Sequence, residues 1–479
     1  MATPLWAQQS VRLCQQFSQG DFGQRVNDCI ASLPATGGIG DATGFGSADI
    51  RQNTTIAITK DNVQLRLPPA RIIHSGVAIA VNANHVDIGG AGNATVLKMA
   101  GRQASNCNAR LDNYSVCSIT VATTRAVDNL KIHDLEIDGN APEQGAVNGF
   151  AIQSNTANFP LSTFEFYNLY LHDHKRGGAS AGGNEIQTGV SRTGKGRIHH
   201  VTCRNHSCAI VFGDDIEITD NQAFSSDDDA FGAVGGPGWM VNRITVANNQ
   251  VDGTTEASCY RLVNGRNSTI TGNRCKNPNF DGVTVDDNGT GPGNYTTDTT
   301  IAENNIVAPG RNGITIQGQR ITVTDNTVIN CSIDGIAVND NSANVRVERN
   351  TVNACNGPGE KYGLKVGSSP RNRVTDVWFV NNSSGDDQAR PTQVYGLYVG
   401  GANSTRIYAI GNNFQGNVAG GYIFAAGTQQ LADGNCVNQL CQQDDRVRDR
   451  PTFKSSRSFY PAAQMPARPS SGAVKPPAK

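Results

Sequence analysis

The sequence has no excess of charge of either sign. Its 479 residues include 40 Lys+Arg and 41 Asp+Glu, which gives a formal net charge of −1. So balanced a surface offers no general basic field that would attract nucleic acid or an anionic membrane. The chain also lacks a run of about 18 apolar residues, which a membrane-spanning helix needs. We therefore expect no nucleic acid partner and no membrane span.

Two further signatures are missing. The first eight residues, MATPLWAQ, have neither the basic start nor the apolar core of a signal peptide. The composition of a disordered chain is absent too, because 37% hydrophobic residues and 53 glycines together give the apolar share that is usual in globular proteins. We therefore expect a folded protein.

Cysteine is plentiful, and its 12 copies fall into close couples along the chain. Such couples suit disulfide bonds that staple local loops and persist in an oxidising compartment. Buried free thiols are the alternative, and the CxxC…CxxC spacing of a zinc site is absent. We expect a secreted or periplasmic protein. The expected pairs are Cys14 with Cys29, Cys107 with Cys117, Cys203 with Cys208, Cys259 with Cys275, Cys331 with Cys355, and Cys436 with Cys441.

One phrase recurs between about residues 126 and 425: a short β-rich run, usually an asparagine, a few polar residues and a second β-rich run. The clearest copies are residues 244–251, 321–328 and 345–352. The asparagine, or its substitute, marks each copy. The marker positions are Asp134, Asn168, His200, Asn221, Asn249, Asn273, Asn305, Asn326, Asn350, Asn382 and Asn413.

In the second run of each copy, apolar residues alternate with unrestricted ones, which is typical of strands with one buried face. Residues 281–286, 312–317 and 334–339 share this G-[IVL]-x-[IV] pattern. Each copy is too small to bury its own apolar face, so neighbouring copies must stack into a continuous core. The pattern therefore predicts a β-solenoid with coils about 4.8 Å apart.

The asparagine corners and the G-[IVL]-x-[IV] strands resemble the right-handed parallel β-helix family of pectate lyases, polygalacturonases and phage tailspikes. The resemblance covers about 300 residues. It implies an all-β fold, a single-stranded right-handed parallel β-helix. That fold hosts several activities, so it does not by itself specify the chemistry.

Two terminal segments flank the coils. A helix with Asp21 as its N-cap is predicted to cover the open end of the solenoid, from the helical spacing of Phe22, Val26, Cys29, Ile30 and Leu33. Behind the coils, a basic and proline-rich segment predicts a flexible tail. The expected organisation is an N-terminal segment with the capping helix (1–50), the parallel β-helix (51–440) and the tail (441–479).

Side chains that project outward from the second runs should stack in columns along the solenoid. The flank column is predicted to be Asn184, Cys208, Asp229, Ser258, Asp281, Asn312, Asp334, Tyr362 and Tyr395. The middle column is predicted to be Gln187, Val211, Gly232, Arg261, Thr284, Thr315, Ala337, Lys365 and Tyr398. Functional residues are expected in these columns and in a third one that holds Asp286.

Charged residues gather on three consecutive coils, which hold 227–229, then Glu256 and Arg261, then Asp281, Asp286 and Asp287. Stacked acids repel one another and raise some of their pKa values, which a purely structural surface has little reason to tolerate. The structural alternative is that aspartate simply suits the turn before a strand.

Asp229 and Asp281 are two coils apart, so their backbones should lie roughly 9.6 Å from each other. An inverting glycosidase separates its acid and base carboxyls by about 6.5–9.5 Å. The spacing therefore fits paired catalytic carboxylates, and Asp228 could replace either one. Crowding within 227–229 would keep one carboxyl protonated to serve as the acid.

Residues 226–236, SDDDAFGAVGG, resemble the G-D-D-C-[IV]-A-[IV] strand of the polygalacturonase-type glycoside hydrolases. The resemblance implies that Asp228 and Asp229 are the paired catalytic carboxylates. The chain departs from the N-T-D, G-H-G and R-I-K strands of that family, and it has 207–209, 257–259 and 283–285 in their places. Polygalacturonase activity is therefore not expected, whereas a hydrolase with another arrangement is.

A Ca²⁺-assisted polysaccharide lyase or epimerase acting on uronates is the second interpretation. There, Asp228, Asp229 and Asp281 would hold Ca²⁺, and Arg261 would remove a proton from the sugar. The hydrolase itself requires no cofactor. A non-catalytic carbohydrate-binding or adhesin solenoid is the third interpretation. The oligomeric state is open in all three.

Substrate binding is assigned to Arg261, Glu256, Asp286, Trp239 and Lys365. Trp239 follows the aspartate-rich strand, where an exposed indole could stack on a sugar ring and buried packing is the alternative. Residues 172–176, HDHKR, are expected to form an exposed polar loop, and binding of an acidic sugar is the alternative. The sequence as a whole predicts a secreted glycoside hydrolase that degrades a polysaccharide and has Asp228, Asp229 and Asp281 as its catalytic residues.

Overall fold

The computed structural model describes residues 10–442 except 105–106, 108–114, 146, 155–158, 176–183, 237, 288–294, 358–360, 368–372, 402, 425–429 and 438–439. Side chains at 190–194, 430 and 440–442 are outside the description as well. Regular structure in this part of the chain is β-strand except for the helix Phe22–Ala31 and the 3-10 turns Cys14–Gln16, Thr43–Phe45 and Ala141–Glu143. The expected all-β parallel solenoid is confirmed.

One face of the solenoid is the front sheet, in which each strand pairs in parallel with the equivalent strand of the next coil. It is built from the second runs of the repeat, whose alternating apolar residues, such as Val283 and Val285, are fully buried. Its strands are Ile56–Ile58, Ile79–Val81, Ser115–Val121, Asn148–Ser154, the first half of Ile186–His199, Ala209–Phe212, Phe231–Val234, Tyr260–Val263, Val283–Asp286, Ile314–Ile316, Asp334–Val338, Tyr362–Val366, Tyr395–Val399 and Gly420–Phe424.

The remaining strands form the rear of each coil, on both sides of a corner, and they also pair in parallel from coil to coil. Between front and rear lies a core of aliphatic columns such as Ile270, Ile301 and Val323. The rear strands are Val11–Leu13, Gly38–Asp41, Ile50–Gln52, Val63–Arg66, Arg71–His74, Val86–Met99, Leu130–Asp138, Leu161–His172, the second half of Ile186–His199, Thr202–Arg204, Ile216–Thr219, Gln222–Ser226, Val241–Asn242, Thr245–Ala247, Gln250–Thr254, Gly265–Arg266, Thr269–Thr271, Arg274–Pro278, Thr296–Ala302, Asn305–Val307, Gly318–Thr324, Thr327–Ile329, Ala343–Glu348, Thr351–Asn353, Val374–Val380, Ser383–Gly385, Ser404–Ile410 and Gln430–Asp433.

A ladder of buried asparagines turns the chain at the rear corner. From Asn249 onward, Oδ1 of each rung accepts both the backbone N–H and the Nδ2–H of the asparagine one coil before, as Asn326 does from Asn304 at 2.9 Å each. Its own Nδ2 donates to the backbone carbonyl of Ile301 at 2.9 Å. These bonds satisfy the backbone where the strands break. The ladder is Asn221, Asn249, Asn273, Asn304, Asn326, Asn350, Asn382, Asn412 and Asn435.

The predicted marker positions are wrong by one residue at five places. Asn305 and Asn413 directly follow the ladder residues Asn304 and Asn412. Asp134, Asn168 and His200 instead take the left-handed backbone position that precedes the ladder, with φ of 54°, 52° and 55°. The ladder position in those three coils holds the buried Leu135, Leu169 and Val201. The corner therefore accepts an apolar residue in the first coils and becomes an asparagine ladder only from Asn221.

The front-sheet register also differs from the prediction in one coil. Ile210 pairs with both Gln187 and Gly232, so Ile210 replaces Val211 in the middle column. Ser207 then takes the flank position that was predicted for Cys208. Cys208 is fully buried and bonded to Cys203, because its side chain points into the core.

The helix Phe22–Ala31 covers the first coils, as expected. The side chain of its N-cap, Asp21, accepts the backbone N–H of Gln24 at 3.0 Å. Asn27 then docks the helix onto the first front strand, because its side chain accepts the N–H of Ala57 at 2.8 Å and donates to the carbonyl of Thr55 at 2.9 Å. These bonds occupy a strand edge that would otherwise be open.

The cysteine couples are disulfide-bonded. Five pairs are confirmed: Cys14–Cys29, Cys107–Cys117, Cys203–Cys208, Cys259–Cys275 and Cys331–Cys355. Cys436 is disulfide-bonded too, and its backbone faces Cys441 in the antiparallel pair Asn435–Val437 and Leu440–Gln442. The expected tail lies outside the described residues after 442. No helix in the described ranges has the length and apolar character to cross a membrane.

The ladder predicts that two adjacent asparagines contribute very differently to the free energy of unfolding. Asn304→Ala should lower the free energy of unfolding by about 2–4 kcal/mol, because the buried N–H groups of Asn273 lose their acceptor. Asn305→Ala removes an exposed side chain and should change that energy by less than about 0.5 kcal/mol. Chemical unfolding of both variants measures the difference, and equal losses would contradict the ladder's register.

Candidate active site

The front sheet brings several predicted residues together on its outer side. Gly232 pairs with Arg261, and Arg261 pairs with Thr284 on the following strand. Two residue pairs further along, Val263 pairs with Asp286. Arg261 therefore stands between Asp229, which is one coil before it, and Asp286, which is one coil after it.

Arg261 contacts a carboxylate on each side. Its Nη2 donates to Oδ2 of Asp286 at 2.9 Å, and its Nη1 donates to Oδ2 of Asp229 at 3.3 Å. Burial disfavours the charged guanidinium, but the carboxylates of Asp286 and Asp229 outweigh it and raise the pKa of Arg261. Arg261 is thus a fixed cation, which holds its proton throughout the physiological range.

Asp229 is a buried carboxyl at this position, with 6% of its surface exposed. Its Oδ1 accepts the backbone N–H of Ser258 at 3.0 Å. Burial raises the pKa of Asp229 to about 6, the charge of Asp228 adds to the increase, and Arg261 and Ser258 oppose it. The carboxyl can therefore keep a proton at mildly acidic pH, as a general acid must.

Asp227 and Asp228 precede Asp229 in the turn and differ in their contacts. Asp227 accepts a hydrogen bond from Nδ1 of the fully buried His206 at 2.8 Å and from the backbone N–H of Ser207 at 3.0 Å. Asp228 is half-buried, and its Oδ1 accepts the backbone N–H of Asp229 at 2.9 Å. Asp227 therefore anchors the turn, whereas Asp228 lies beside Asp229 on the outside.

Asp281 lies two coils after Asp229 in the same flank column. Its Oδ1 accepts the backbone N–H of Asn312 at 2.9 Å. Its Oδ2 accepts the hydroxyl of Thr315 at 2.8 Å and that of Thr284 at 3.2 Å. Both carboxyl oxygens are therefore engaged within the protein, and 5% of the residue is exposed.

The flank column has a shared structural use. The side chains of Asp229, Asp281, Asn312 and Asp334 each accept the backbone N–H that opens the next front strand, at 2.9–3.3 Å. An aspartate in the flank column therefore stabilises the corner even where it has no catalytic role. Contacts beyond this bond distinguish the members, and Asp229 alone among these four contacts Arg261 in the described structure.

The other predicted binding residues do not all join the cluster. Lys365 is four coils beyond Arg261, where its Nζ lies 2.8 Å from Oδ2 of Asp334. Glu256 is exposed in the turn before the strand Tyr260–Val263. Trp239 is 37% exposed on the loop that follows Phe231–Val234, so its indole is accessible from solvent.

The residues assigned to Ca²⁺ do not fit a shared calcium site as they lie. Calcium takes about six to eight oxygen ligands, whereas the oxygens of Asp229 and Asp281 accept the hydrogen bonds given above. The Arg261 guanidinium also stands beside Asp229. Elsewhere in the described ranges, ligand atoms of Asp138, His172 and Asp173 lie within 4.8 Å of one another, but Lys98 already pairs with Asp138 there.

A buried polar cluster that the sequence did not predict lies behind the aspartate turn. Nδ1 of His174 lies 2.6 Å from Oε2 of Glu185, and both side chains are 0% exposed. Burial raises the pKa of Glu185 to about 8 and, with the charge of His206, lowers that of His174 to about 3. Burial therefore favours the uncharged form of both groups. The prediction of an exposed loop is wrong at His174, whose ring packs on the bare backbone of Gly139.

A surface cavity of about 430 Å³ lies on the rear side of the early coils. It is lined by polar residues that include Gln64, His85, Asp87 and Lys131. Asp87 already accepts a hydrogen bond from His133 at 2.8 Å, and Lys131 lies 2.9 Å from Glu165. Because its charged groups are satisfied, we assign the site to the front sheet rather than to this cavity.

The model of the right-handed β-helix region family matches residues 186–352 and 262–437, which together cover more than half of the chain. The chain therefore belongs to this family, and the solenoid is right-handed. A comparison with curated protein sequences gives no match.

Solved structures with the same architecture include two mannuronan C-5 epimerase A-modules from Azotobacter vinelandii. That of AlgE4 has a TM-score of 0.53 and 14% identity, and the match covers 89% of this chain and 100% of that one. For AlgE6 the TM-score is 0.52 and the identity 12%, with coverage of 88% and 98%. DFA-IIIase from Arthrobacter chlorophenolicus has a TM-score of 0.48, 13% identity and coverage of 88% and 99%. At these identities the likeness to the two A-modules establishes the fold alone.

Glu185 predicts a specific pH dependence of stability. The carboxyl keeps its proton up to about pH 8 in the folded state, whereas its ordinary pKa is 4.5. The fold therefore binds the extra proton, and stability falls as pH rises between these values. Glu185→Gln mimics the protonated carboxyl and should lack this part of the decline. Thermal unfolding over a pH series measures it, with Glu256→Gln as an exposed control, and equal slopes for wild type and Glu185→Gln would refute the assignment.

Proposed function

We propose that the protein is a glycoside hydrolase that cleaves a polysaccharide bound along the front sheet. Asp229 is the general acid and Asp228 is the base that activates water. The observation that carries this proposal is the outward cluster of Asp228, Asp229 and Arg261, in which one carboxyl is buried beside a fixed cation. The disulfide bonds are typical of proteins from oxidising compartments, which supports secretion or a periplasmic location.

The two carboxyls differ in the way that acid–base hydrolysis requires. Burial favours the protonated form of Asp229, which can then donate to the leaving oxygen. Asp228 is more exposed, and its negative charge contributes to the raised pKa of Asp229. Unequal environments of this kind separate the roles of two neighbouring acids.

Arg261 supports the hydrolase over the lyase. A lyase needs a base that takes a proton from the sugar, and the flanking carboxylates hold the proton on Arg261 instead. In the hydrolase, the guanidinium orients the Asp229 carboxyl and neutralises it after proton donation. Asp281 has a structural role in this proposal, because its oxygens are bonded to Asn312, Thr284 and Thr315.

Replacement of the acid should abolish cleavage. Asp229→Asn keeps the shape of the side chain and can still accept the N–H of Ser258, but it has no proton to donate. We expect kcat to fall about a hundredfold or more on a glycan that the wild type digests. Reducing ends and mass spectrometry of the products measure the reaction. Wild-type rates in this variant would refute the proposed acid.

Asp281→Asn is the matched control for that experiment. It makes the same chemical change in the same flank column, two coils away, where the carboxyl is bonded to Asn312 and two threonines. Activity should stay within about threefold of the wild type, with at most a modest loss of stability. A loss of activity as large as that of Asp229→Asn would show that Asp281 is catalytic, as the sequence predicted.

The pH profile provides a second test. Activity should decline as pH rises above about 6, because Asp229 then loses the proton that it must donate. Arg261→Met removes the cation that favours the ionised carboxyl, so the pKa of Asp229 should rise. The alkaline limb of the rate profile should move to higher pH by about one pH unit. An alkaline limb that does not move would show that Arg261 does not influence the pKa of the proposed acid.

The alternatives are distinguished by the products. An unsaturated, ultraviolet-absorbing product that EDTA suppresses would identify the Ca²⁺-assisted lyase, and an altered uronate without cleavage would identify an epimerase. Binding without any change of the glycan would identify a carbohydrate-binding module. New reducing ends without an unsaturated product are expected for the hydrolase.

A further inference from the structure

An apolar surface adjoins the acidic cluster on the front sheet. Ile210 and Phe212 are half-buried and project from the strand Ala209–Phe212, and Trp239 is 37% exposed nearby. The ring centres of Phe212 and Trp239 are 6.4 Å apart, with the planes tilted by 49°. Large side chains of this kind are usually withdrawn from solvent, so their grouping beside a polar site indicates a ligand surface.

Gly232 leaves a notch in the middle column at this point. Ile210, Gly232 and Arg261 follow one another in register on three successive strands. Gly232 has no side chain and is itself buried, because the end of Ile210 covers it. The notch between Ile210 and Arg261, which are roughly 9.6 Å apart along the solenoid, is therefore shallow and surfaced by the isoleucine. A Cβ at Gly232 would lie 2.8 Å from Cδ1 of Ile210, so the isoleucine side chain forms an apolar floor here.

The turn after the strand Phe231–Val234 carries the indole of Trp239. The backbone N–H of Trp239 donates to the carbonyl of Gly236 at 3.1 Å, which closes a tight turn. A Cβ at Gly236 would lie 2.3 Å from Nε1 of Trp239, so the ring rests directly on the glycine backbone. The indole thus lies on the bare Gly236, with the ring of Phe212 nearby.

The charges around this notch favour one class of ligand. Asp229 and Asp286 both bond to Arg261 at the edge of the notch, and Asp228 lies beside Asp229. Even with Asp229 protonated, the carboxylates of Asp228 and Asp286 outnumber the one cation among the described side chains there. An anionic sugar would meet this excess of negative charge. A neutral pyranose ring has apolar C–H faces that pack on aromatic rings and hydroxyls that bond to carboxylates.

We propose that Ile210, Phe212, Gly232 and Trp239 form a subsite for a neutral pyranose unit of the substrate, next to the bond that Asp229 protonates. This inference rests on the proposed function and names its substrate class, a polysaccharide with neutral pyranose units rather than a polyuronate. The apolar face of the ring lies on Ile210 and the indole, and its hydroxyls face the carboxylates across the notch.

Binding to Asp229→Asn protein tests the subsite without cleavage. The probes are neutral β-glucan and xylan oligosaccharides, with oligogalacturonate and oligomannuronate as anionic probes. Neutral oligosaccharides should bind and shift tryptophan fluorescence, since Trp239 is one of three tryptophans in the chain. Adding Trp239→Ala or Phe212→Ala should weaken binding about tenfold, as the loss of a stacking contact implies.

Matched controls separate the subsite from general damage. Trp378→Phe changes the tryptophan that stacks on Tyr408 at the rear and should leave both affinity and the fluorescence shift intact, whereas Trp239→Phe should remove the shift. Gly232→Ala narrows the notch, and since only the flexible end of Ile210 must move it should fold and bind less well. Thermal unfolding checks each variant.

Each outcome decides the proposal. Unchanged binding in Trp239→Ala, Phe212→Ala and Gly232→Ala would overturn the subsite, even if Asp229→Asn stops cleavage as proposed. Binding confined to the anionic probes, or binding of none of the probes, would also overturn it. Neutral-glycan binding that depends on Trp239, together with undiminished cleavage by Asp229→Asn protein, would support the subsite and refute the proposed acid.

Discussion

Parallel hydrogen bonding between successive coils positions every group in the candidate site. Residues distant in sequence, such as Asp229, Arg261 and Asp286, become neighbours because each front strand pairs in register with the next. The buried asparagine ladder fixes where the chain turns at the rear, and this turn fixes which residues of the front strand face outward. A shift of one residue in either place would exchange the outward and core columns.

At Asp229, burial and charge oppose each other, and burial prevails. The carboxyl accepts a backbone N–H and lies within 3.3 Å of a guanidinium nitrogen, yet its pKa is raised to about 6. Burial prevails because residues of the flank column have a structural role at a corner of the coil. There the side chain is buried so that it can accept the backbone N–H that opens the next front strand. Any acid chemistry in the flank column uses a side chain that the fold has already buried.

Much of the fold was predictable from the sequence, because the sequence repeats wherever a similar coil stacks on the one before it. The period-2 pattern identified the front strands, the spacing of cysteines gave five disulfide pairs, and helical spacing located the cap. The errors were local. Cys208 was placed in the outward column although it points into the core, and the asparagine markers were displaced by one at Asn305 and Asn413. Short strands between irregular turns leave such one-residue shifts undetermined by periodicity alone.

The buried groups behind the site were less accessible to sequence analysis. His174 follows the strand Leu161–His172 and Glu185 precedes the strand Ile186–His199, and their side chains meet in the interior, where Gly139 leaves room for the imidazole ring. Nothing in the local pattern distinguishes such a histidine from one in an exposed loop. The same holds for Phe212 and Trp239, whose proximity depends on how the turn at Gly236 folds back over the strand.

Local patterns in the amino-acid sequence were enough to show that this chain forms a solenoid, where its strands lie and that its acids gather on three consecutive coils. These properties follow from the hydrophobic alternation and the recurrent corner residues, which are local. The tertiary structure decided which acid is buried, which is anchored to His206 or to backbone N–H groups, and which contacts Arg261. Those differences depend on contacts between coils and on solvent exclusion, and both exist only once the coils have stacked.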